Sequence, residues 1–273
     1  MRHGTEVLMR KIVSYALFGS EPIYYQGLDT LVLAHHAIFK GFELRIHHDS
    51  STKAMPQFSF LQRLHDAGKL TLVHFEENKA LTRSMMWRFL PLFEPGLDYL
   101  FTRDIDSLPL VRDRAMAEEF IETGLVSHNI CDYFGHLWWN VPLMGGCMGF
   151  KVAPLLELLG VSNFEELMRF SGHDDNWFIP YGNDEVFLTE KVWPLVKGKA
   201  CLHLTKDQRD CPDAKVIREV RMELATGVPE RIMSHADSLC PNVCSKGWKF
   251  EEARLFYKEN GDPEILSIIE NTK

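Results

Sequence analysis

Two carboxylates one residue apart, Asp104 and Asp106, follow the apolar run Tyr99-Leu-Phe in the segment Asp98-Tyr-Leu-Phe-Thr-Arg-Asp-Ile-Asp106-Ser-Leu-Pro. If the strand stays extended through them, residues i and i+2 point to the same face. Paired carboxylates suit Mg²⁺ or Mn²⁺, which take oxygen ligands and keep positions for phosphate oxygens and water. Asp also commonly ends a strand in a solvated turn, so the pair draws its meaning from the strand before it. A second acidic pair, Asp184-Glu185, follows the turn-forming Tyr181-Gly182-Asn183. Acids are favoured at a helix start, and a carboxylate facing a cleft can serve as general base. Gly145-Gly146 reads as a turn or as a loop whose backbone N–H groups approach a ligand closely. His203, within Leu202-His203-Leu204, reads as a metal ligand or as a hydrogen-bonded core histidine.

The elements that would position these residues alternate. Strands are predicted at Lys11–Phe18, Phe42–His47, Leu70–Phe75 and Leu97–Phe101. Helices are predicted at Leu28–Phe39, Gln57–Ala67 and Leu81–Leu90. This order predicts an α/β fold with a mixed, mainly parallel sheet flanked by helices. Ligands of such sheets bind at the carboxyl ends of the strands, which is where Gly19, Asp49 and Asp104 fall. The expected organisation is one domain over 1–273. About 1–107 would be a nucleotide-binding half, 108–205 a donor-sugar and acceptor half, and 206–273 a C-terminal extension of unknown role.

The chain of 273 residues is 45% hydrophobic and 25% charged, an ordinary globular composition. A formal net charge of −8 argues against a nucleic-acid binder working through a broad basic face. Six cysteines are too few and scattered for a disulfide framework and read as reduced thiols. The group Cys201, Cys211, Cys240 and Cys244 lacks the paired CxxC spacing of a zinc knuckle. No apolar run reaches the roughly 18 residues of a membrane span. Arg2, Arg10 and Lys11 precede an apolar stretch, but no small-residue cleavage site follows. The expected location is therefore cytoplasmic.

Over roughly Lys11 to Thr205 the sequence resembles GT-A type glycosyltransferases, in particular small glycosyltransferase-like proteins of viral and microbial origin. The resemblance lies in the order and spacing of Ser14–Gly19, Met85-Met-Trp-Arg-Phe-Leu-Pro91, Phe101–Ser107, Pro142–Lys151, and Gly182–Leu188 with Trp193-Pro-Leu195. It implies a DxD pair, Asp104 and Asp106, holding Mn²⁺ or Mg²⁺ against the diphosphate of a nucleotide-sugar donor, with His203 as a further ligand. It implies that Ala16, Phe18 and Gly19 line the nucleobase, that Asp49 bonds the base edge, and that Arg83 or Arg88 sits near the nucleotide or braces the DxD loop. Arg103, Gly145, Gly146 and Glu185 would lie on the donor-sugar side, and Asp184 would face the reacting sugar. Relatives carry Arg-Asp-His-Pro where this chain has Cys131-Asp132-Tyr133 before His136. Asp132 is kept there and stands as a second candidate catalytic carboxylate, while the altered neighbours leave the donor sugar open. Nothing after about Arg209 has a counterpart.

The chemistry implied is transfer of a sugar to a glycan or other hydroxyl acceptor. Charge grows negative on the leaving diphosphate and positive on the sugar, so a cation belongs beside the first and a carboxylate beside the second. Inversion and retention are both open. Two other classes use the same residues: a metal-dependent phosphoesterase, and a sugar- or nucleotide-binding module without turnover.

Overall fold

A computed structural model describes residues 9–75, 81–131, 143–172, 182–204, 215–216 and 248–272. Among these residues eight strands form one sheet: β1 (Lys11–Leu17), β2 (Glu43–His48), β3 (Thr71–His74), β4 (Tyr99–Arg103), β5 (Ser127–Cys131), β6 (Cys147–Lys151), β7 (Ala200–Leu204) and β8 (Lys215–Val216). Their order is β3-β2-β1-β4-β6-β5-β7-β8. Only β6 runs antiparallel to its neighbours. This is the mixed, mainly parallel, helix-flanked sheet expected from the sequence. Both faces are covered, so the inner strands are buried, β1 almost wholly apolar and β5 with Ser127, His128 and Asn129 buried; every residue of β4 is buried.

Alternation along β4 divides two cores. Tyr99 and Phe101 join the face covered by α1 (Leu28–Ile38), α2 (Phe58–Asp66) and α3 (Val111–Thr123). Leu100 joins the other face, with Met86 and Phe89 of the segment Leu81–Phe93 and with α4 (Val152–Leu159) and α5 (Phe164–Ser171). The helix start α6 (Asn183–Phe187) runs through a π-turn, Leu188–Val192, into α7 (Trp193–Val196) on this second face. Leu81–Phe93, predicted as an α-helix to Leu90, is a run of 3-10 turns. Pro91 lies inside it, lacks a donor and crowds the preceding turn.

The described helices of the C-terminal extension, α8 (Trp248–Asn260) and α9 (Pro263–Glu270), return to the N-terminal half. Ala253, Tyr257, Ile265 and Ile269 enter the same core as α1 and α2. Arg254 Nη2 pairs with Asp29 Oδ2 at 3.1 Å. A cavity of about 240 Å³ lies between these helices and α1–α2. It is smaller than the usual ligand pocket of roughly 300–1,000 Å³ and does not suit a nucleotide sugar.

Arg103 follows the Tyr99 and Phe101 face. Its Nη2 lies 2.9 Å from Asp113 Oδ2 of α3, with 4% and 1% of the two side chains exposed. Asp113 Oδ2 also accepts from Leu110 N–H at 2.8 Å, capping the start of α3. The donor-sugar position implied for Arg103 is therefore not where its side chain goes: period-two alternation turns it to the α3 face. Breaking a buried pair by removing one partner costs about 3–5 kcal/mol. Arg103→Met is expected to lose stability of that order in urea denaturation while leaving nucleotide affinity near wild type. A loss of nucleotide binding without a loss of stability would return Arg103 to the site.

Candidate active site at the carboxyl edge

β4 ends at Arg103, and Asp104 opens a turn in which Ser107 N–H donates to the Asp104 carbonyl at 3.0 Å. The extended geometry expected for Asp104-Ile105-Asp106 is thus replaced by a turn. Ile105 at its tip is 8% exposed and packs into the α1-side core, which draws the chain out of the strand direction. Asp104 turns to the opposite face, where its Oδ1 accepts from Arg88 Nη1 at 2.7 Å. Asp106 lines a small cleft with Ile23, Tyr24 and Gly27.

Arg88 is the centre of the cluster. Its side chain is 5% exposed; Nε donates to the Met85 carbonyl at 3.0 Å, and Nη1 also lies 3.7 Å from Asp184 Oδ2. Burial works against its charge, but Asp104, Asp184 and Asp106 outweigh burial and hold the guanidinium still more firmly protonated. Asp184 is 3% exposed. Burial raises its carboxyl above the usual range, Arg88 opposes this, and Asp104 adds to it. Its Oδ1 is buried with no hydrogen-bond partner among the described residues. Glu185, beside it at the start of α6, is pushed up to about 7 by burial and by the Asp184 and Asp104 charges, against Arg88. A carboxyl titrating near neutrality suits proton transfer.

Gly145 and Gly146 press on this cluster. A Cβ on Gly145 would collide with the Asp184 carboxylate, and one on Gly146 with that of Asp104. Their turn is held by Thr102 Oγ1, which donates to the Gly145 carbonyl at 2.7 Å. Asn129 Oδ1 accepts from Met144 N–H at 2.8 Å. Sequence reading missed both Thr102 and Asn129. Their signal is a polar residue inside a buried strand next to the candidate site.

The residues assigned to the nucleobase lie at the ends of β1 and β2. Ala16 is 5% exposed. Phe18 meets Trp87 edge-on at 6.0 Å, and Gly19 takes φ 72°, a left-handed turn that glycine adopts freely. Asp49 ties this edge together. Its Oδ1 accepts from Ser51 Oγ at 2.6 Å and Thr52 N–H at 3.1 Å, and its Oδ2 from Gly19 N–H at 3.1 Å. Burial pushes its carboxyl up, but these hydrogen bonds prevail and hold it low. Tyr25 Oη donates to the Gly19 carbonyl at 2.5 Å, closing the network.

His203 lies elsewhere. It is 1% exposed, Nε2 is 3.3 Å from Glu119 Oε2 of α3, and its ring meets His128 at 4.8 Å. Alternation puts it on the Cys201 face, which packs with α3, away from the face on which Asp104 meets Arg88. Burial lowers its pKa, with Glu119 opposing. Among the described residues no cluster of three His, Cys, Asp or Glu side chains able to bind a metal includes His203. Asp132 lies outside the described residues, as do the side chain of Arg83 and Cys211, Cys240 and Cys244.

The donor chemistry of this turn suits an oxygen-bound cation. Asp104 keeps 29% of its side chain exposed, Asp106 is half-buried in the same turn, and both offer the hard oxygens that Mg²⁺ and Mn²⁺ prefer. Two protein carboxylates leave several ligand positions for phosphate oxygens and water. No helix among the described residues is long and apolar enough to cross a membrane.

No protein-family model and no curated protein matches the chain. Solved structures do. Glycosyltransferase GlyE of Streptococcus pneumoniae TIGR4 is similar at 13% identity and TM-score 0.47, over 71% of this chain and 45% of that one. A fragment of S. aureus TarS spanning residues 1–349 is similar at 12% identity and TM-score 0.44, over 66% and 56%. The mannosyltransferase PcManGT of Pyrobaculum calidifontis, solved with GDP-Man and Mn²⁺, is similar at 16% identity and TM-score 0.46, over 96% and 73%. The chain thus spans less than two thirds of the first two.

Glu185 yields a pH dependence with a definite sign. Its folded value of about 7 exceeds the ordinary 4.5, so the folded state holds the proton more tightly than the unfolded chain. The stability this group contributes is full below about pH 4.5 and is lost as pH rises through about 7. Partial exposure reduces the effect to on the order of 1 kcal/mol. Glu185→Gln is expected to remove this decline from denaturation curves recorded across that window. An unchanged profile would show that Glu185 titrates normally.

Proposed function

We propose that the chain is a nucleotide-sugar-dependent glycosyltransferase of the GT-A type. It would move a sugar from a UDP- or GDP-linked donor to a hydroxyl of a glycan or other acceptor. The observation that carries this reading is the Asp104–Arg88–Asp184 cluster, lined by Gly145 and Gly146, at the carboxyl edge of parallel strands. Acidic groups of distinct character meet there: a partly exposed carboxylate suited to a hard cation, a buried one, and one titrating near neutrality.

In this reading Asp104 and Asp106 hold Mn²⁺ or Mg²⁺ from the protein side, and a bound cation would stabilise charge on the leaving diphosphate. The Asp49 network sets the edge of the base site in advance, and its Oδ2 accepts an imino N–H. That favours uracil or guanine over adenine and cytosine. Gly145 and Gly146 let the backbone of their loop lie against the Asp184 and Asp104 carboxylates, and that loop would border the donor sugar. Asp184 positions the sugar or takes the acceptor proton; Glu185, at the same helix start, is poised for proton transfer, and Asp132 is the alternative carboxylate. A carboxylate on the face opposite the diphosphate gives inversion, the outcome favoured here.

The test is incubation with UDP-, GDP-, ADP- and CDP-sugars and Mn²⁺, scoring nucleoside diphosphate release. Asp104→Asn and Asp106→Asn are each expected to lower turnover at least about a hundredfold with the fold intact. Asp184→Asn is expected to do the same while nucleoside diphosphate affinity, read by calorimetry, stays within about threefold. If Asp132→Asn is dead and Asp184→Asn is active, the base is Asp132. Full activity in excess EDTA would defeat the metal role. Release of nucleoside monophosphate or phosphate would indicate the phosphoesterase, and binding of every donor without release the binding module.

A further inference from the structure

Arg88 is the cation that Asp104 already pairs with. Its Nη1 lies 2.7 Å from Asp104 Oδ1 and 3.7 Å from Asp184 Oδ2, and Asp106 adds to the field that keeps it charged. Met85 fixes Nε at 3.0 Å, so the guanidinium fork is aimed rather than floating. Asp104 is therefore engaged on one side by Arg88 and on the other by Gly146, whose missing side chain leaves room for that carboxylate. A divalent ion approaching Asp104 meets a guanidinium within van der Waals range of its ligand oxygen, and like charges at that separation repel strongly in a partly buried site.

We infer that Arg88 is a built-in counter-cation that competes with the divalent ion for Asp104. The inference rests on the reading of Asp104 and Asp106 as the cation-holding pair. In the free protein the guanidinium compensates the carboxylates and keeps cation affinity low. A nucleoside diphosphate changes the balance by adding negative oxygens beside the turn. The ion then gains ligands and attraction that it lacks alone, and the guanidinium is released toward Asp184, whose buried Oδ1 has no partner among the described residues. Cation and diphosphate are thus taken up together, and the same side chain reports their arrival to the carboxylate that faces the reacting sugar. Arg88 is in this sense a positioning residue: it acts through Asp104 and Asp184.

The experiment is a Mn²⁺ titration followed by electron paramagnetic resonance, without and with UDP or GDP. The proteins are wild type, Arg88→Met and Arg88→Lys. Wild type is expected to bind Mn²⁺ weakly alone and much more tightly with nucleotide. Arg88→Met removes the competing charge and is expected to bind Mn²⁺ alone roughly tenfold more tightly than wild type. Arg88→Lys keeps the charge and is expected to stay near wild type. Because Arg88→Met strands the buried Asp184 carboxylate, it is also made together with Asp184→Asn and compared with Asp184→Asn alone; the same tightening is expected. Unchanged or weaker Mn²⁺ binding in both Arg88→Met proteins overturns the inference, as does equal tightening in Arg88→Lys. If wild type takes up Mn²⁺ only with nucleotide and the variants gain nothing, this inference alone falls. If no protein binds Mn²⁺ in either condition, the cation-dependent reading of the site falls with it.

Discussion

A buried guanidinium needs carboxylates, and buried carboxylates need a guanidinium. Arg88 and its acidic partners satisfy both demands at one point, and the surrounding backbone is shaped to bring them there. The 3-10 run Leu81–Phe93 carries Arg88 across the second face of the sheet. The turn after β4 delivers Asp104, and the start of α6 delivers Asp184. Two consecutive glycines let the β5–β6 connection lie directly on both carboxylates. Any side chain at Gly145 or Gly146 would force these groups apart, so the glycines matter here for space rather than for backbone dihedrals.

The other edge of the site is organised without a buried cation. Asp49 accepts from Ser51, Thr52 and Gly19, and Tyr25 returns a bond to the Gly19 carbonyl. The ends of β1 and β2 are thereby locked to each other before any ligand arrives, which lowers the ordering cost of binding. Trp87 links the two edges: it adjoins Arg88 in sequence and meets the Phe18 ring. The C-terminal helices stiffen the outer wall of this half, with Tyr257 and Ile265 in the core of α1 and α2.

The first four strands were legible because β1 and β4 open on apolar runs in a strand-helix alternation, and the acidic pair Asp104 and Asp106 stood where such folds place ligands; β5 was not, because it buries Ser127, His128 and Asn129. What failed to read were features set by partners far away in sequence. Nothing around Asp104 announces that Ile105 will bury itself against α1 and bend the DxD out of the strand. Arg103 adjoins the carboxylates, yet strand alternation turns it to Asp113. The resemblance implies a metal ligand at His203, but its packing is that of a core residue, because Glu119 and His128 meet it from α3 and β5. Asp49 was readable as a strand-end acid; that it caps its own turn depends on Ser51 and Thr52, an ordinary Asx pattern. The return of α8 and α9 onto α1 has no local signal, since Arg254 and Asp29 are widely separated in the chain.

The position of Arg88 with the site filled tests the central claim most directly. Crystals grown with Mn²⁺ and UDP or GDP, with diffraction recorded at the manganese absorption edge, would locate the ion by its anomalous signal. The expected result is a peak on the carboxylate oxygens of Asp104 and Asp106, with the Arg88 guanidinium moved from Asp104 toward Asp184. A peak away from both aspartates, or an ion on Asp104 with Arg88 still 2.7 Å from its Oδ1 as in the free protein, would contradict it.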